Sequence, residues 1–215
     1  MKIAIIGAGG FGREVKMLID QINNKYKQYE FIGYFDDAFE KKNIINGFPV
    51  LGSISDINSL EYELAIAIAV GDPKTKKSIL TKITNKKVFF PTLIHPSVLI
   101  GKDSVTIGKG CIICSYNVIT VNVTIGDFVI LNLMCTVGHD TVIENFSSFM
   151  PSVNISGEVI VKEGVYVGTG AKIINQLEIG ENSIIGAGSV VYKSIPANCT
   201  AVGIPAKPIK YHELS

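Results

Sequence analysis

Counting in sixes from Ile107, the chain meets Ile113, Ile119, Ile125, Leu131, Val137, Ile143, Phe149, Ile155, Val161, Val167, Ile173, Ile179, Ile185 and Val191, a large apolar residue at every step. With 47% of residues hydrophobic, fifteen such hits in a row have chance odds of roughly one in thirty thousand, so the period is a structural rule. Glycine follows the apolar residue at Gly108, Gly126, Gly138, Gly168, Gly180 and Gly186. A small or branched residue stands four places after it at Cys111, Val123, Val129, Thr141, Ser147, Ala171, Ser183 and Ser189. Six residues hold one short strand and one turn, and the glycines suit backbone angles that a β-carbon penalises. One such unit cannot bury its own apolar side chain. The units must stack into a solenoid, a parallel β-helix, and three sixes per coil would make it a triangular prism. Residues one coil apart then lie above one another, with Ile107, Ile125, Ile143, Val161 and Ile179 as one column. The period itself is silent on the coil number and on the hand.

Before about residue 90 the pattern alternates between strand and helix. "KIAIIGAG" reads as a short apolar strand ending in glycines, and "GREVKMLIDQI" follows with Val15, Leu18, Ile19 and Ile22 at helical spacing. "FIGYFDD" is a second strand and "LAIAIAVGD" a third, apolar throughout as a strand buried on both faces should be. Asp72 is placed to cap the next helix and Pro73 to start it, with Ile79, Leu80 and Ile83 as its inner face. "KVFFPTLI" closes the region as a fourth strand. The expected organisation is an α/β, Rossmann-like domain over 1–90 and a β-helix domain with a C-terminal tail over 91–215.

Charge narrows the partners. Twenty basic against nineteen acidic residues leave a net charge of +1, so no global field draws the chain toward nucleic acid or a membrane surface. No apolar run reaches the length of a spanning helix, about 18 residues, and the N-terminal run is broken by glycines and Arg13. A soluble cytoplasmic protein is expected. Of the cysteines Cys111, Cys114, Cys135 and Cys199, the first two form a lone CxxC that falls in the hexad frame, which favours packing over zinc or redox chemistry. "GAGGFG" fits G-x-G-x-x-G after a strand, with Asp36 downstream. About 90 residues are barely half of a dinucleotide fold, so a nucleotide-sugar anchor is preferred to NAD.

The hexads and "AVGIPAKPIK" at 201–210 resemble the left-handed β-helix acyltransferases. "IIGAGGFGREV", "GYFDD", "AIAVGD" and "LIHPSV" are similar, in order and spacing, to one branch of them. That branch acetylates the amino group of nucleotide-linked 4-amino-4,6-dideoxy sugars, of bacillosamine, viosamine and perosamine type, with sialic acid O-acetyltransferases as relatives. The resemblance implies acetyl-CoA as co-substrate, a UDP-, dTDP- or GDP-linked amino sugar as acceptor, no metal, and a homotrimer, to which a three-sided prism lends itself.

Roles follow by position. The resemblance implies His139 as general base and Asp140 as its acidic neighbour. It puts Gly9, Gly10 and Phe11 around the diphosphate, with Phe11 where relatives often have histidine. Asp36 and Asp37 fall near the nucleoside, and Gly71 at the end of the third strand. Gly157, Thr169 and Ala187 lie along the acetyl-CoA groove. Ser148 stands where some relatives place a cofactor-touching histidine.

The chemistry suits those residue types. A sugar amine is largely protonated near neutrality, and a histidine braced by a carboxylate is suited to take a proton as the nitrogen attacks a thioester. A backbone N–H near Gly157, one coil from His139, is a candidate oxyanion donor. Simpler readings stand beside these. His139 and Asp140 fit a solvated turn, since neighbours in a strand point to opposite faces. Asp36 and Asp37 fit a strand-end turn, His95 and His212 fit local structural roles, and Lys207 fits either a CoA phosphate or solvent. Competing functions are sugar O-acetylation, a β-helix carbonic anhydrase, which needs three zinc-binding histidines where the hexad tract has only His139, and a non-enzymatic nucleotide sensor.

Overall fold

The computed structural model describes residues 1–213; the last two positions of the expected tail, 214–215, lie outside them. The N-terminal region is a sheet of six strands in the order β3-β4-β2-β1-β5-β6, with β1 Lys2–Ile6, β2 Glu30–Phe35, β3 Ile44–Ile45, β4 Phe48–Gly52, β5 Leu64–Ile68 and β6 Val88–Phe89. All pairs are parallel except β3 with β4. The β3–β4 hairpin has no counterpart in the sequence reading, although Asn46-Gly47 between the apolar stretches Ile44–Ile45 and 48–51 is the turn signal that marks it. Helix α1, Gly10–Tyr26, buries the expected Val15, Leu18, Ile19 and Ile22.

Helix α2, Pro73–Lys82, begins as expected, with the Asp72 carboxylate accepting from Thr75 N–H at 2.8 Å. Its inner face differs from the expected one. Pro73, Lys76 and Ile79 are buried, whereas Leu80 and Ile83 are half-buried. "KVFFPTLI" also divides: Val88–Phe89 joins the first sheet, and Leu93–Ile94 opens the solenoid. Pro91, which offers no N–H to a ladder, stands in the gap.

From Leu93 onward two-residue strands build three parallel faces. The first carries Ile112–Ile113, Ile130–Leu131, Ser148–Phe149, Tyr166–Val167 and Ile184–Ile185; the second Val118–Ile119, Thr136–Val137, Asn154–Ile155 and Lys172–Ile173; the third Thr124–Ile125, Val142–Ile143, Ile160–Val161 and Glu178–Ile179. The predicted column is present, as Ile107, Ile125, Ile143, Val161 and Ile179 pair in succession. From Ile113 to Val191 every sixth residue belongs to one core, and Ile107 packs against its end.

The residue four places on from each apolar one is buried at every step but Leu177, and two of the hydroxyls there bond across to the next coil. Thr141 Oγ1 donates to Ser156 O at 3.2 Å and Ser147 Oγ to Lys162 O at 3.0 Å. Cys111 and Cys135 sit at or beside such positions, and burial lifts both thiols to about 11, with Cys114 at about 12. They are packing groups, unreactive as nucleophiles.

The glycines serve a different purpose from the one expected. None of those following the apolar residue has positive φ; a β-carbon at Gly138 would lie 2.5 Å from Ser156 C, and one at Gly168 2.5 Å from Ala187 N. They let one coil's backbone lie on the next. The left-handed residues stand two places later, at Asn122, Phe128, Met134, Asp140, Phe146, Ser152, Glu158, Gln176 and Asn182 among others, with φ between 54° and 63°.

The α/β region lies on the first face. Ile112, Cys114 and Ile130 share a core with α1, and Leu133 and Phe11 pack against it. Helix α2 sends Lys76 into the joint, where its Nζ donates to Ser148 Oγ at 3.0 Å while only 1% of the residue is exposed. Burial pushes this ammonium down to about 7, with Cys111 and Asp72 pulling the other way. Nearer the rim, Lys77 pairs with Glu163. The folded state therefore binds Lys76's proton more weakly than the unfolded chain, whose value is near 10.5. Its contribution to stability is fully present above that value and is lost as pH falls toward about 7. Lys76→Met should remove this dependence: urea unfolding at pH 6.5 is expected to show the variant as stable as the native chain or more so, with the native chain gaining on it by pH 9.5. A native-to-variant difference that does not change with pH would contradict a buried ammonium here.

Candidate functional site

The three edges of the prism are turns, and each turn holds two consecutive residues outside the strand ladders, buried in a core at some turns, as Phe128 is, and exposed at others. His139 and Asp140 occupy those positions between Thr136–Val137 on the second face and Val142–Ile143 on the third. In an extended chain their side chains would diverge. Asp140 is left-handed, with φ 57°, a conformation that aspartate tolerates better than most residues. The reversal brings the two side chains together, with His139 Nδ1 and Asp140 Oδ2 at 2.7 Å.

Asp140 also accepts from Asn122 Nδ2 at 3.0 Å, one coil earlier. The hydrogen bonds from His139 and Asn122 hold its carboxyl below the usual range, so it is ionised wherever the imidazole is neutral. An ionised acceptor at Nδ1 selects the tautomer with the proton on that nitrogen, leaving Nε2 with a lone pair. The side chains are 57% and 49% exposed, open to a ligand.

One coil on, Gly157 lies directly against the imidazole. A β-carbon there would sit 2.4 Å from His139 Nε2 and 2.5 Å from Cε1, so only glycine leaves room for the ring. The turn is pinned at both sides, by Asp140 N–H to Val121 O at 3.1 Å and Glu158 N–H to His139 O at 2.8 Å. Among the described residues the Gly157 N–H has no acceptor.

Thr169 and Ala187 are exposed and stacked one coil apart, on the turn between the first and second faces. Within one chain they flank the second face on the edge opposite His139 and Gly157. Ser148 corrects the expectation attached to it. It is fully buried under α2 with its hydroxyl taken by Lys76, and has no opening toward a cofactor groove.

In the α/β region, Gly9 and Gly10 are exposed, with nothing within 4 Å of where a β-carbon would stand. Gly9 caps α1 without a side-chain partner, and the first turn holds no acid, so backbone N–H groups face outward as a diphosphate requires. Gly12 lets the helix close on β1, where a β-carbon would be 1.9 Å from Gly7 O. Asp36 is spent on the backbone: Ala8 N–H donates to it at 2.7 Å and Ala38 N–H at 2.8 Å. Asp37 accepts from Ile54 N–H at 2.8 Å. These acids shape the loops, as a strand-end turn would. Gly71 faces the solenoid, its missing β-carbon 3.7 Å from Met150 Cε. The glycine loop, Gly71 and Met150 therefore share one rim.

The remaining candidates are engaged locally. His95 Nδ1 meets Ser97 Oγ at 2.7 Å, and burial pushes the imidazole's proton affinity down. His212 Nε2 meets Thr200 Oγ1 at 2.8 Å, and Lys207 is exposed on the hairpin of Cys199–Gly203 with Ala206–Tyr211. Among the described residues, no group of three His, Cys, Asp or Glu is arranged to hold a metal ion, and no helix is long and apolar enough to cross a membrane.

Residues 2–83 match the PglD N-terminal domain family, and residues 158–193 the bacterial transferase hexapeptide (six repeats) family. The chain is 32% identical over 213 residues to GDP-perosamine N-acetyltransferase of Escherichia coli O157:H7, covering 96% of this chain and 95% of that protein. The acetyltransferase domain of PglB from Neisseria gonorrhoeae superposes with a TM-score of 0.86 at 32% identity, over 97% of this chain and 99% of that one. It has also been solved in complex with acetyl coenzyme A. A histidine mutant of perosamine N-acetyltransferase from Caulobacter crescentus, in complex with CoA and GDP-perosamine, superposes with a TM-score of 0.86 at 26% identity, over 98% of this chain and 97% of that one. With a relative matched along almost its whole length and the fold shared throughout, the chain belongs to the hexapeptide-repeat sugar N-acetyltransferases that carry a PglD-type N-terminal domain.

Proposed function

We propose that this protein transfers the acetyl group of acetyl-CoA to the 4-amino group of a nucleotide-linked 4-amino-4,6-dideoxy sugar, for the assembly of a bacterial surface glycan. GDP-perosamine, named for the Escherichia coli and Caulobacter relatives, is the first substrate to try, with UDP- and dTDP-linked sugars beside it. The observation that carries the reading is the His139–Asp140 contact at 2.7 Å on an exposed turn.

In the proposed mechanism His139 Nε2 takes a proton from the amine as its nitrogen attacks the thioester carbonyl. The C–N bond forms, the C–S bond breaks, and CoA leaves as the thiol once it regains a proton. Asp140 fixes the tautomer and stabilises the imidazolium, and the Gly157 N–H is the donor for the developing oxyanion. The nucleotide diphosphate rests on the N–H groups of Gly10 and Phe11, with Gly9 and Gly71 keeping the approach clear. Thr169, Ala187 and Gly157 line the path of acetyl-CoA.

The assembly is proposed as a homotrimer. The glycine loop shares an edge with Leu133 and Met150, whereas His139 is on the next edge, six residues or about 15–20 Å away along the second face. A second copy, its His139 edge against that rim, would bring base and anchor together. A cytoplasmic setting suits four buried, unpaired cysteines.

Incubation with acetyl-CoA and a panel of UDP-, dTDP- and GDP-linked 4-amino sugars, with free sialic acid alongside, is expected to yield an acetamido sugar. Turnover of sialic acid alone would replace N- with O-acetylation. His139→Ala should lower kcat at least about 100-fold with nucleotide-sugar binding retained. Gly157→Ala, which pushes the imidazole aside, should cost about 10-fold or more in kcat with little change in melting temperature. Light scattering should give a trimer, and a monomer of full activity would refute a shared site.

A further inference from the structure

The left-handed residues of the His139 edge form a vertical column, Asn122, Asp140, Glu158 and Gln176, each one coil above the last. Its two carboxylates are adjacent, and an amide lies beyond each. Asn122 Nδ2 donates to Asp140 Oδ1 at 3.0 Å, and Gln176 Nε2 donates to Glu158 Oε2 at 3.1 Å. Each acid is drawn outward, away from the other, by an amide on the far side. For Asp140 this leaves one oxygen on Asn122 and the other on His139 Nδ1 at 2.7 Å. Asn122 is itself held by its own N–H, which donates to Asp103 O at 2.9 Å. It therefore braces Asp140 from a fixed turn.

We propose that Asn122 is a positioning residue for the acetyl transfer, holding Asp140 in the rotamer that presents Oδ2 to His139. The proposal rests on the reading of His139 as general base. A carboxylate on a short side chain at an exposed edge rotates freely unless both oxygens are engaged. Without Asn122 the acid is free to turn toward solvent, and the imidazole loses its orientation and its fixed tautomer. In the same column the next coil carries the acid Glu158, and the turn before Asn122 carries Lys102 and Asp103. Asn122 is neutral, so it supplies a donor without changing the charge the imidazole meets.

Two variants separate orientation from charge. Asn122→Gly keeps the left-handed turn, with φ 55°, at no steric cost and removes only the amide. Asn122→Asp keeps the shape and replaces the donor by a second carboxylate beside Asp140. With the full-length protein, acetyl-CoA and the amino sugar it turns over, Asn122→Gly should lower kcat roughly 3- to 10-fold, with both KM values and the melting temperature near native. Asn122→Asp should lower kcat comparably and also shift the acid limb of the kcat/KM profile upward, by about half a pH unit, because added negative charge favours the protonated imidazole. Native kcat and a native profile in both variants, with His139→Ala inactive in the same assay, would overturn the role of Asn122 and leave the general base standing. Native turnover by His139→Ala would instead remove the base, and with it this proposal.

Discussion

The register of one coil on the next is the constraint on which everything else depends. Strand pairs repeat without slippage from Ile112 with Ile130 through Ser148 with Tyr166 to Tyr166 with Ile184, and the same holds on the other two faces. Backbone bonds near 2.9 Å run from coil to coil, as from Gly138 N–H to Ile155 O and from Gly168 N–H to Ile185 O at 2.8 Å. In a sheet of period two, one inserted residue would turn every later side chain to the opposite face. The hexads therefore tolerate change only where neither ladder nor core is involved, at the turn residues that no core covers, such as His139 and Asp140. Chemistry placed there inherits the rigidity of the stack without weakening it.

The turn also supplies what a strand denies. Adjacent residues of an extended chain cannot share a hydrogen bond between side chains, yet His139 and Asp140 do, because the second of them is left-handed. The same conformation recurs at every edge, carried by phenylalanine, methionine, serine and glutamine as readily as by asparagine. Phe128 and Phe146 turn it to packing, stacking at 5.4 Å between ring centres. Left-handed backbone costs about 1 kcal/mol for an ordinary residue, so the cooperative stack overrides local preference at many positions at once.

That override marks the boundary of what was legible in the sequence. The apolar sixes, the buried small positions, the α1 face and the Asp72 cap all follow from side-chain pattern, and all are present. The reason for the glycines is not legible, because close approach between coils and positive φ leave the same mark in a sequence. The Asn122 contact could have been found by counting one coil back from Asp140. Lys76 is three residues before Ile79 and four before Leu80, so its spacing puts it on the inner face, but a lysine among lysines in "PKTKKSIL" reads as solvated, and its burial is set by how α2 meets Ser148. The burial of Ser148 is illegible for a related reason, since a hexad gives the face of a residue and not what covers that face.

The joint between the regions matters for chemistry as well as stability. The glycine loop and Gly71 are held against the solenoid through α1, Met150, the Lys76 pin and the core that Phe128 shares with β1, β5 and α2, so the distance from a nucleotide anchored there to any edge of the prism is fixed by packing. On the proposed reading the base comes from a neighbouring copy, across an interface of equally rigid prisms. Proximity would then arise from assembly, with no closing loop required to bring amine and thioester together. Such a site has little freedom to correct an error in placement. A displaced ring at His139 or a turned carboxylate at Asp140 is not recovered by motion elsewhere, which is why small contacts around them, the bare Cα of Gly157 and the amide of Asn122, carry weight out of proportion to their size.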